Sequence, residues 1–286
     1  MANTKFAALL FIAGCLPLAA QQENWCTHHG WNTDGMVTHN EVREEHLAAA
    51  AQNVINPAQN GSIHVHGWSN SDILIKACVQ TSAHDSGTAE ALAKQVTITD
   101  GPGRVVAKGP SNIQGNSWWS VSYDVWLPSS SSLDLQAYNG SVHVEGTQGQ
   151  IRAHTLNGSL TLKDVSGEVD GETTNGSLTI NLSPGAPQAK ELKLKTINGS
   201  IHLQLPSTFG ADVEASTVNG SVKNDFAEDQ DTKHQSHNQR FTIGGGGSKI
   251  EAETTNGSVH ISRQSAKGAD ARHHQSRNSA ALSVAA

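Results

Sequence analysis

The sequence predicts an all-β protein: a parallel β-solenoid, resembling a single-stranded β-helix, preceded by a small β-sandwich-like capping module with one short helix. Three observations carry this. The tripeptide Asn-Gly-Ser begins at Asn60, Asn139, Asn157, Asn175, Asn198, Asn219 and Asn256, and from Asn139 the spacings are 18, 18, 23, 21 and 37 residues. Apolar and polar residues alternate on both sides of each tripeptide. All six Trp lie at or before Trp126, so the repeat region is poor in large rings. Repeats this short cannot bury a core alone and have to stack.

At the amino terminus, Lys5 followed by the apolar run 6–13 and then by small residues has the layout of a signal peptide over residues 1–20. Two exits are open. Ile12-Ala13-Gly14-Cys15 resembles a lipobox, which would lipidate Cys15; cleavage after Leu18-Ala19-Ala20 would leave Gln21 first. Either route exports the chain to the periplasm, the cell envelope or the exterior. The mature thiols are then Cys26 and Cys78, and in an oxidising compartment two cysteines without metal-ligand spacing read as one disulfide. Two separate buried thiols are the alternative.

Residues 24–127 form the expected Trp-rich module. Local propensity favours a helix over 41–53, with its four consecutive Ala, and another over 86–95 with Ser86 as N-cap. Further on, Trp118 and Trp126 fall on the strand face opposite Trp119, Val121, Tyr123 and Val125. One face packs a core, and the other is a possible binding surface unless it too is covered. Pro128 and the serines at 129–132 mark a linker.

From residue 133 to 263 each rung reads as a strand, an Asn-Gly turn and a second strand. Ile151, Ala153 and Thr155 alternate before Asn157, and Leu160 and Leu162 follow it; the other rungs repeat this. The turns are Asn139-Gly140, Asn157-Gly158, Asn175-Gly176, Asn198-Gly199, Asn219-Gly220 and Asn256-Gly257, where both residue types tolerate positive φ. An 18-residue rung has a contour of about 60 Å at ~3.3 Å per residue, enough to wrap a narrow core of aliphatic side chains and a Thr column. In the long gap before Asn256, Phe241 and Ile243 fit the apolar slots of a degenerate rung; a polar loop over 224–247 is the alternative. The outward residue after each leading apolar one is Asp134, Arg152, Asp170, Lys193, Glu214 and Glu251, with Lys233 between the last two if the degenerate rung exists. The signs then alternate, which would pin register. From about Gln264 the composition predicts a disordered tail, residues 264–286.

These residues carry a family likeness. Asn60-Gly-Ser-Ile-His-Val-His-Gly-Trp68, the segment 89–99, Trp119-Ser-Val-Ser-Tyr-Asp-Val125 with Pro128, the rungs, and Ile243-Gly-Gly-Gly-Gly247 resemble a bacterial family of candidate adhesins, a domain of unknown function built from Thr-x-Asn-Gly-Ser β-strand repeats. The resemblance covers about residues 40–263. It implies an exported, non-enzymatic β-solenoid, transfers no catalytic residue, and implies strands rather than a helix over 41–53.

The composition excludes several classes. A net charge of -7 supplies no basic footprint for nucleic acid, and no apolar run is long enough to span a membrane. Fifteen His invite a metal, yet no zinc spacing occurs, and His143, His202 and His260 sit on rungs separated by others bearing Thr161, Thr179 and Lys223. No nucleophile elbow or Ser, His and Asp set is present, and no cofactor is implied. The Asn-Gly-Ser triplets match a glycosylation acceptor, but stacked Asn already accounts for them as an amide ladder. The expected function is an envelope or surface protein that binds an unidentified surface ligand, a glycan or envelope component, without catalysis. A carbohydrate-active enzyme on a β-helix is the alternative, and a self-assembling envelope scaffold the second.

Overall fold

A computed structural model describes residues 26, 35–111, 113, 115–184, 190–226 and 237–264. In chain order the strands are β1 (Val37–Ala48), β2 (Gln52–Asn56), β3 (Ile63–Trp68) and β4 (Asp72–Ala83), then helix α1 (Ser86–Ala93), β5 (Arg104–Val106) and β6 (Trp118–Pro128). The repeats follow as β7 (Ser132–Asn139), β8 (Val142–Glu145), β9 (Ile151–Asn157), β10 (Leu160–Val165), β11 (Val169–Asn175) and β12 (Leu178–Leu182). The last are β13 (Glu191–Asn198), β14 (Ile201–Leu205), β15 (Ala211–Asn219), β16 (Val222–Asn224), β17 (Asn238–Ile243), β18 (Ser248–Asn256) and β19 (Val259–Arg263).

The fold is all-β, with one helix among the described residues. Its strands form two long sheets. The first strand of each rung lies in a nine-stranded sheet, the second in a ten-stranded sheet, and Asn-Gly-Ser is the corner between them. Alternation decides what faces inward. Ile151, Ala153, Leu160, Leu162, Leu178, Ile180, Leu192 and Leu194 are buried in a core shared by both sheets. Burying one Leu or Ile contributes about 1.5–3 kcal/mol, so the repeated aliphatic slots supply most of the stabilisation. The core is also shared across the composition break at 128: β2 pairs with β7 and β3 with β8, so both sheets run through that break. Strands replace the helix that propensity favours over 41–53, as the family resemblance implies; each has a face to bury there, and tertiary packing outweighs propensity.

The rungs do not stack in the order of the chain. Along the nine-stranded sheet the order is β17-β15-β18-β13-β11-β9-β7-β2-β5, and along the other β1-β4-β6-β3-β8-β10-β12-β14-β19-β16. The carboxy-terminal rung, β18 with β19, therefore inserts between β13/β14 and β15/β16. The degenerate rung read at 238–243 is corrected as well. β17 runs antiparallel to β15 as the last strand of its sheet, with Phe241 opposite Val213 and Ile243 opposite Ala211. Ile243 is buried there as expected, but the strand doubles back and does not continue the coil.

At the other end β4 runs antiparallel to both β6 and β1, and α1 packs on β4 and β1. The helix lies where 86–95 predicts it, but its N-cap is Asp85, whose carboxylate accepts from the Thr88 N–H at 2.8 Å; Ser86 is the first helical residue. A carboxylate with extended backbone outcompetes the hydroxyl one residue later. Arg43 reaches the other end of α1 and donates to the Ala93 carbonyl at 2.8 Å, where a cation suits the helix C-terminus.

Cys26 and Cys78 form a disulfide, which closes a chain separation of 52 residues and fastens the amino-terminal segment to the outer face of β4. Gln80 adds a bond from Nε2 to the Cys26 carbonyl at 3.0 Å. Replacing both cysteines by Ser should lower unfolding stability by about 2–4 kcal/mol. Urea titration of the variant against the oxidised parent checks this, and coincident curves would contradict it. Residues 1–25 with the signal peptide and Cys15, and residues 265–286 of the expected tail, lie outside the described residues.

Candidate functional site

The corner is the most repetitive part of the molecule. Asn139 donates its side-chain N–H to the Asn60 amide oxygen at 3.0 Å, Asn157 to Asn139 at 2.8 Å, Asn175 to Asn157 at 2.8 Å, and Asn198 to Asn175 at 2.8 Å. Asn256 then donates to Asn198 at 2.7 Å and Asn219 to Asn256 at 2.7 Å, following the stack rather than the chain. Every bond points the same way, so each amide polarises the next. Behind them, at five of the seven rungs, a Thr two residues before the Asn turns inward; Ala58 and Ala137 take that place before Asn60 and Asn139. Thr155, Thr173, Thr196, Thr254 and Thr217 each donate to the glycine carbonyl of the neighbouring rung at 2.8–2.9 Å. This is why a buried Thr column is tolerated: each hydroxyl has a partner.

The glycines act differently from the expectation. Positive φ is not their common feature, and no Asn of the ladder has it. A Cβ on Gly158 would lie 2.1 Å from the Gly140 carbonyl oxygen, one on Gly176 2.0 Å from that of Gly158, and one on Gly199 1.9 Å from that of Gly176. Gly140, Gly220 and Gly257 meet neighbouring rungs as closely. The requirement comes from the rung beside each glycine, which leaves no room for a side chain.

Next to the ladder is a column that sequence reading did not single out, the residue just before each Asn. It runs Tyr138, Leu156, Thr174, Ile197, Thr255, Val218 in stack order, as the pairing of flanking residues dictates. Tyr138 is 52% exposed, Ile197 42% and Val218 65%, which makes them three of the five exposed large apolar residues among those described. The signal was available: alternation predicts an outward position there, yet Tyr, Leu, Ile and Val occupy four of the six sites.

On the outer face of the nine-stranded sheet the charged column is Asp134, Arg152, Asp170, Lys193, Glu251, Glu214, ending at Arg240 on β17. Opposite signs adjoin as far as Glu251. There the expected alternation fails, because insertion of the last rung sets Glu251 beside Glu214. Lys233 lies outside the described residues. Lys249 contacts Glu251 and is 3.7 Å from Glu191, and its ammonium holds the Glu251 carboxyl below its ordinary range. Arg240 closes the end with an ion pair of 2.6 Å to Glu214. Arg152 to Asp170 at 3.9 Å and His154 to Glu172 at 3.4 Å flank a shallow groove of about 440 Å³. Such exposed pairs contribute under about 1 kcal/mol each and serve register more than stability.

The expected binding surface divides. Trp126 stacks on His66 with ring centres 5.0 Å apart, and the Lys76 ammonium is 5.5 Å from its ring from the strand on the other side. Its neighbours already use the ring. Trp118 lines a groove of about 480 Å³ with Asn60, Lys108, Pro110 and Trp119 at the β5/β6 end. His66 bonds Asp124 at 2.8 Å, which raises its pKa, whereas burial lowers that of His143. His143 is separated from His202 and His260 as expected, although it adjoins His64 with ring centres 5.6 Å apart. His202 and His260 are not separated from each other and adjoin with ring centres 6.4 Å apart because β19 pairs with β14. Among the described residues no three His, Cys, Asp or Glu side chains are grouped to hold a metal ion.

A model of the family described as Toastrack DUF4097 matches residues 47–262. No curated protein matches the chain. Among solved structures, a candidate cell adhesion protein from Clostridium sporogenes is 12% identical, with 79% of this chain and 100% of that one covered and a TM-score of 0.37. A candidate adhesin from Bacteroides fragilis is 10% identical (79% and 97% covered, TM-score 0.32), and a candidate lipid-binding protein from Parabacteroides distasonis is 10% identical (79% and 97%, TM-score 0.29).

Proposed function

The chain belongs to the Toastrack DUF4097 family, a domain of unknown function, and we propose that it is an exported cell-envelope protein that holds an extended polymer along its corner without chemical change. The observation that carries this reading is the coincidence of two columns at one repeat. Each internal ladder amide, Asn139, Asn157, Asn175, Asn198 and Asn256, spends one N–H and one oxygen lone pair on its neighbours, which leaves a second N–H and lone pair for a ligand at an exposed corner. Beside them run Tyr138, Leu156, Ile197 and Val218. Strand spacing repeats both columns about every 4.8 Å. A linear glycan has this character, with hydroxyls to meet amides and C–H faces to meet apolar side chains, and weak contacts repeated along it sum to avidity. The disulfide supports export, since such bonds persist in oxidising compartments. No helix among the described residues is long and apolar enough to cross a membrane.

A screen of purified protein against envelope polysaccharides tests the proposal. The Tyr138→Ser, Ile197→Ser, Val218→Ser triple variant should bind at least about tenfold more weakly, because three exposed contacts of roughly 0.5 kcal/mol are removed. Unaltered affinity would overturn the corner as the site. Time-dependent release of product would overturn the non-catalytic reading in favour of a carbohydrate-active enzyme.

A further inference from the structure

The ten-stranded sheet ends on a strand unlike the other strand that closes it. β16, at one end, has three residues, whereas β1, at the other, has 12 and pairs among the described residues only with β4. An edge of that length is a template for pairing, and soluble proteins usually shorten, cover or charge it. β1 is charged, but in a pattern that is complementary to its own reverse. Its inward face carries Val37, His39, Glu41, Arg43, Glu45 and Leu47; its outward face carries Thr38, Asn40, Val42, Glu44 and His46. Val37 and Val42 are 41% and 47% exposed, which makes them the remaining two of the five exposed large apolar residues.

We propose that β1 is the interface of a two-fold dimer of this chain, paired antiparallel with its own copy about Val42. In that register Glu41 faces the partner's Arg43 and Arg43 faces the partner's Glu41. His39 meets the partner's Glu45, Val37 the partner's Leu47, Asn40 the partner's Glu44, and Val42 the partner's Val42. Inward residues stay opposite inward residues, as a continuous sheet requires. Three neighbouring registers fail on charge and one on length. Centring on Glu41 or on Arg43 sets that residue against itself, and centring on Glu44 sets a carboxylate on a carboxylate. Centring on Asn40 keeps Glu41 opposite the partner's His39 but pairs only residues 37–43, with Arg43 against the partner's Val37. Like charges directly opposite are destabilising, and opposite ones contribute, so one register is selected. Arg43 is already held by the Ala93 carbonyl at 2.8 Å and by Glu41, so less side-chain freedom is lost on pairing. The inference goes beyond polymer binding. It joins two stacks at their α1 ends and leaves both corners open.

Sedimentation equilibrium of the purified protein tests it. The parent should show a monomer–dimer equilibrium. Val42→Lys, which sets an ammonium against its copy on the two-fold axis, should raise the dissociation constant at least about tenfold. Val42 is exposed and points away from the core, so the variant should keep the parent's circular dichroism spectrum and cooperative unfolding. Asn40→Lys should tighten the dimer, since the new cation faces the partner's Glu44 twice. Glu41→Arg and Arg43→Glu should each be monomeric alone and form a heterodimer when mixed; if either fails to fold, the Val42 and Asn40 variants decide. A parent that stays monomeric, or a dimer indifferent to Val42→Lys, would overturn the proposal.

Discussion

Gly176→Ala should cost about 3–5 kcal/mol, at the upper end for any single methyl added to a protein. The new Cβ would sit 2.0 Å from the Gly158 oxygen and 2.5 Å from its carbonyl carbon, which are backbone atoms without rotamers to yield. Relief requires the rungs to part. That would stretch the Gly158 N–H to Asn175 carbonyl bond of 3.1 Å, the Asn175 to Asn157 amide bond of 2.8 Å and the Thr173 hydroxyl bond to Gly158 of 2.8 Å together. Gly245→Ala is the control: nothing lies within 4 Å of its Cβ, and its stability should stay within about 0.5 kcal/mol of the parent. Gly220→Ala meets Gly257 as closely, yet β16 is the last strand of its sheet and can swing away, so its cost should fall between the two. Thermal and urea unfolding of the three variants reads this ranking. Equal losses at Gly176 and Gly245 would mean that conformational freedom, and not the neighbouring rung, explains the glycine column.

The sequence shows inside and outside well because alternation is a local consequence of pleating. Ile151, Ala153 and Thr155 are buried where the pattern places them, and so are their counterparts on other rungs. The pairing of Cys26 with Cys78 was legible for a different reason: the expectation of export leaves only those two thiols to pair. The role of the glycines was not. A single rung shows Asn-Gly and suggests a turn, whereas the steric demand arises from a carbonyl 18 or more residues away that only stacking brings near. Nor was the order of the rungs. Inward slots of neighbouring rungs are nearly interchangeable, Val213, Ala215 and Thr217 against Ile250, Ala252 and Thr254, so core chemistry hardly distinguishes one order from another. Outward charges divide on the order, because insertion of the last rung makes one like-charge contact, Glu251 beside Glu214, and relieves another. In chain order, Asp212 would face Glu191. The native order places Lys249 between them, and also sets Glu253 beside Lys195. The exposed column at Tyr138, Ile197 and Val218 was legible as an outward position. Its significance depends on the ladder alongside, which is a property of the stack.

A chain ending at Gly247 should melt at least about 10 °C below the parent, because the rung it loses is internal. β18 pairs with β13 and β15, and β19 with β14 and β16, so four ladders go with it, together with the buried side chains of Ile250, Val259 and Ile261. At about 2 kcal/mol for each large aliphatic, that is roughly 6 kcal/mol of gross burial before any hydrogen bond is counted. The vacated slot can be closed only by moving β15 against β13, and that sets Asp212 opposite Glu191 and leaves Lys195 opposite Ser216. A cross-link separates the two arrangements. In the full chain, Lys195 and Glu253 are register partners on the outward face, so Lys195→Cys with Glu253→Cys should form a disulfide under mild oxidation. Stacking in chain order would put a whole rung between those positions and bring Lys195 next to Ser216 instead. A Lys195→Cys, Ser216→Cys pair should therefore stay reduced in the full chain and oxidise in the shortened one. Cross-linking of 195 to 216 in the full chain would show that the rungs follow the sequence, and a shortened chain with the parent melting temperature would show that the inserted rung is dispensable.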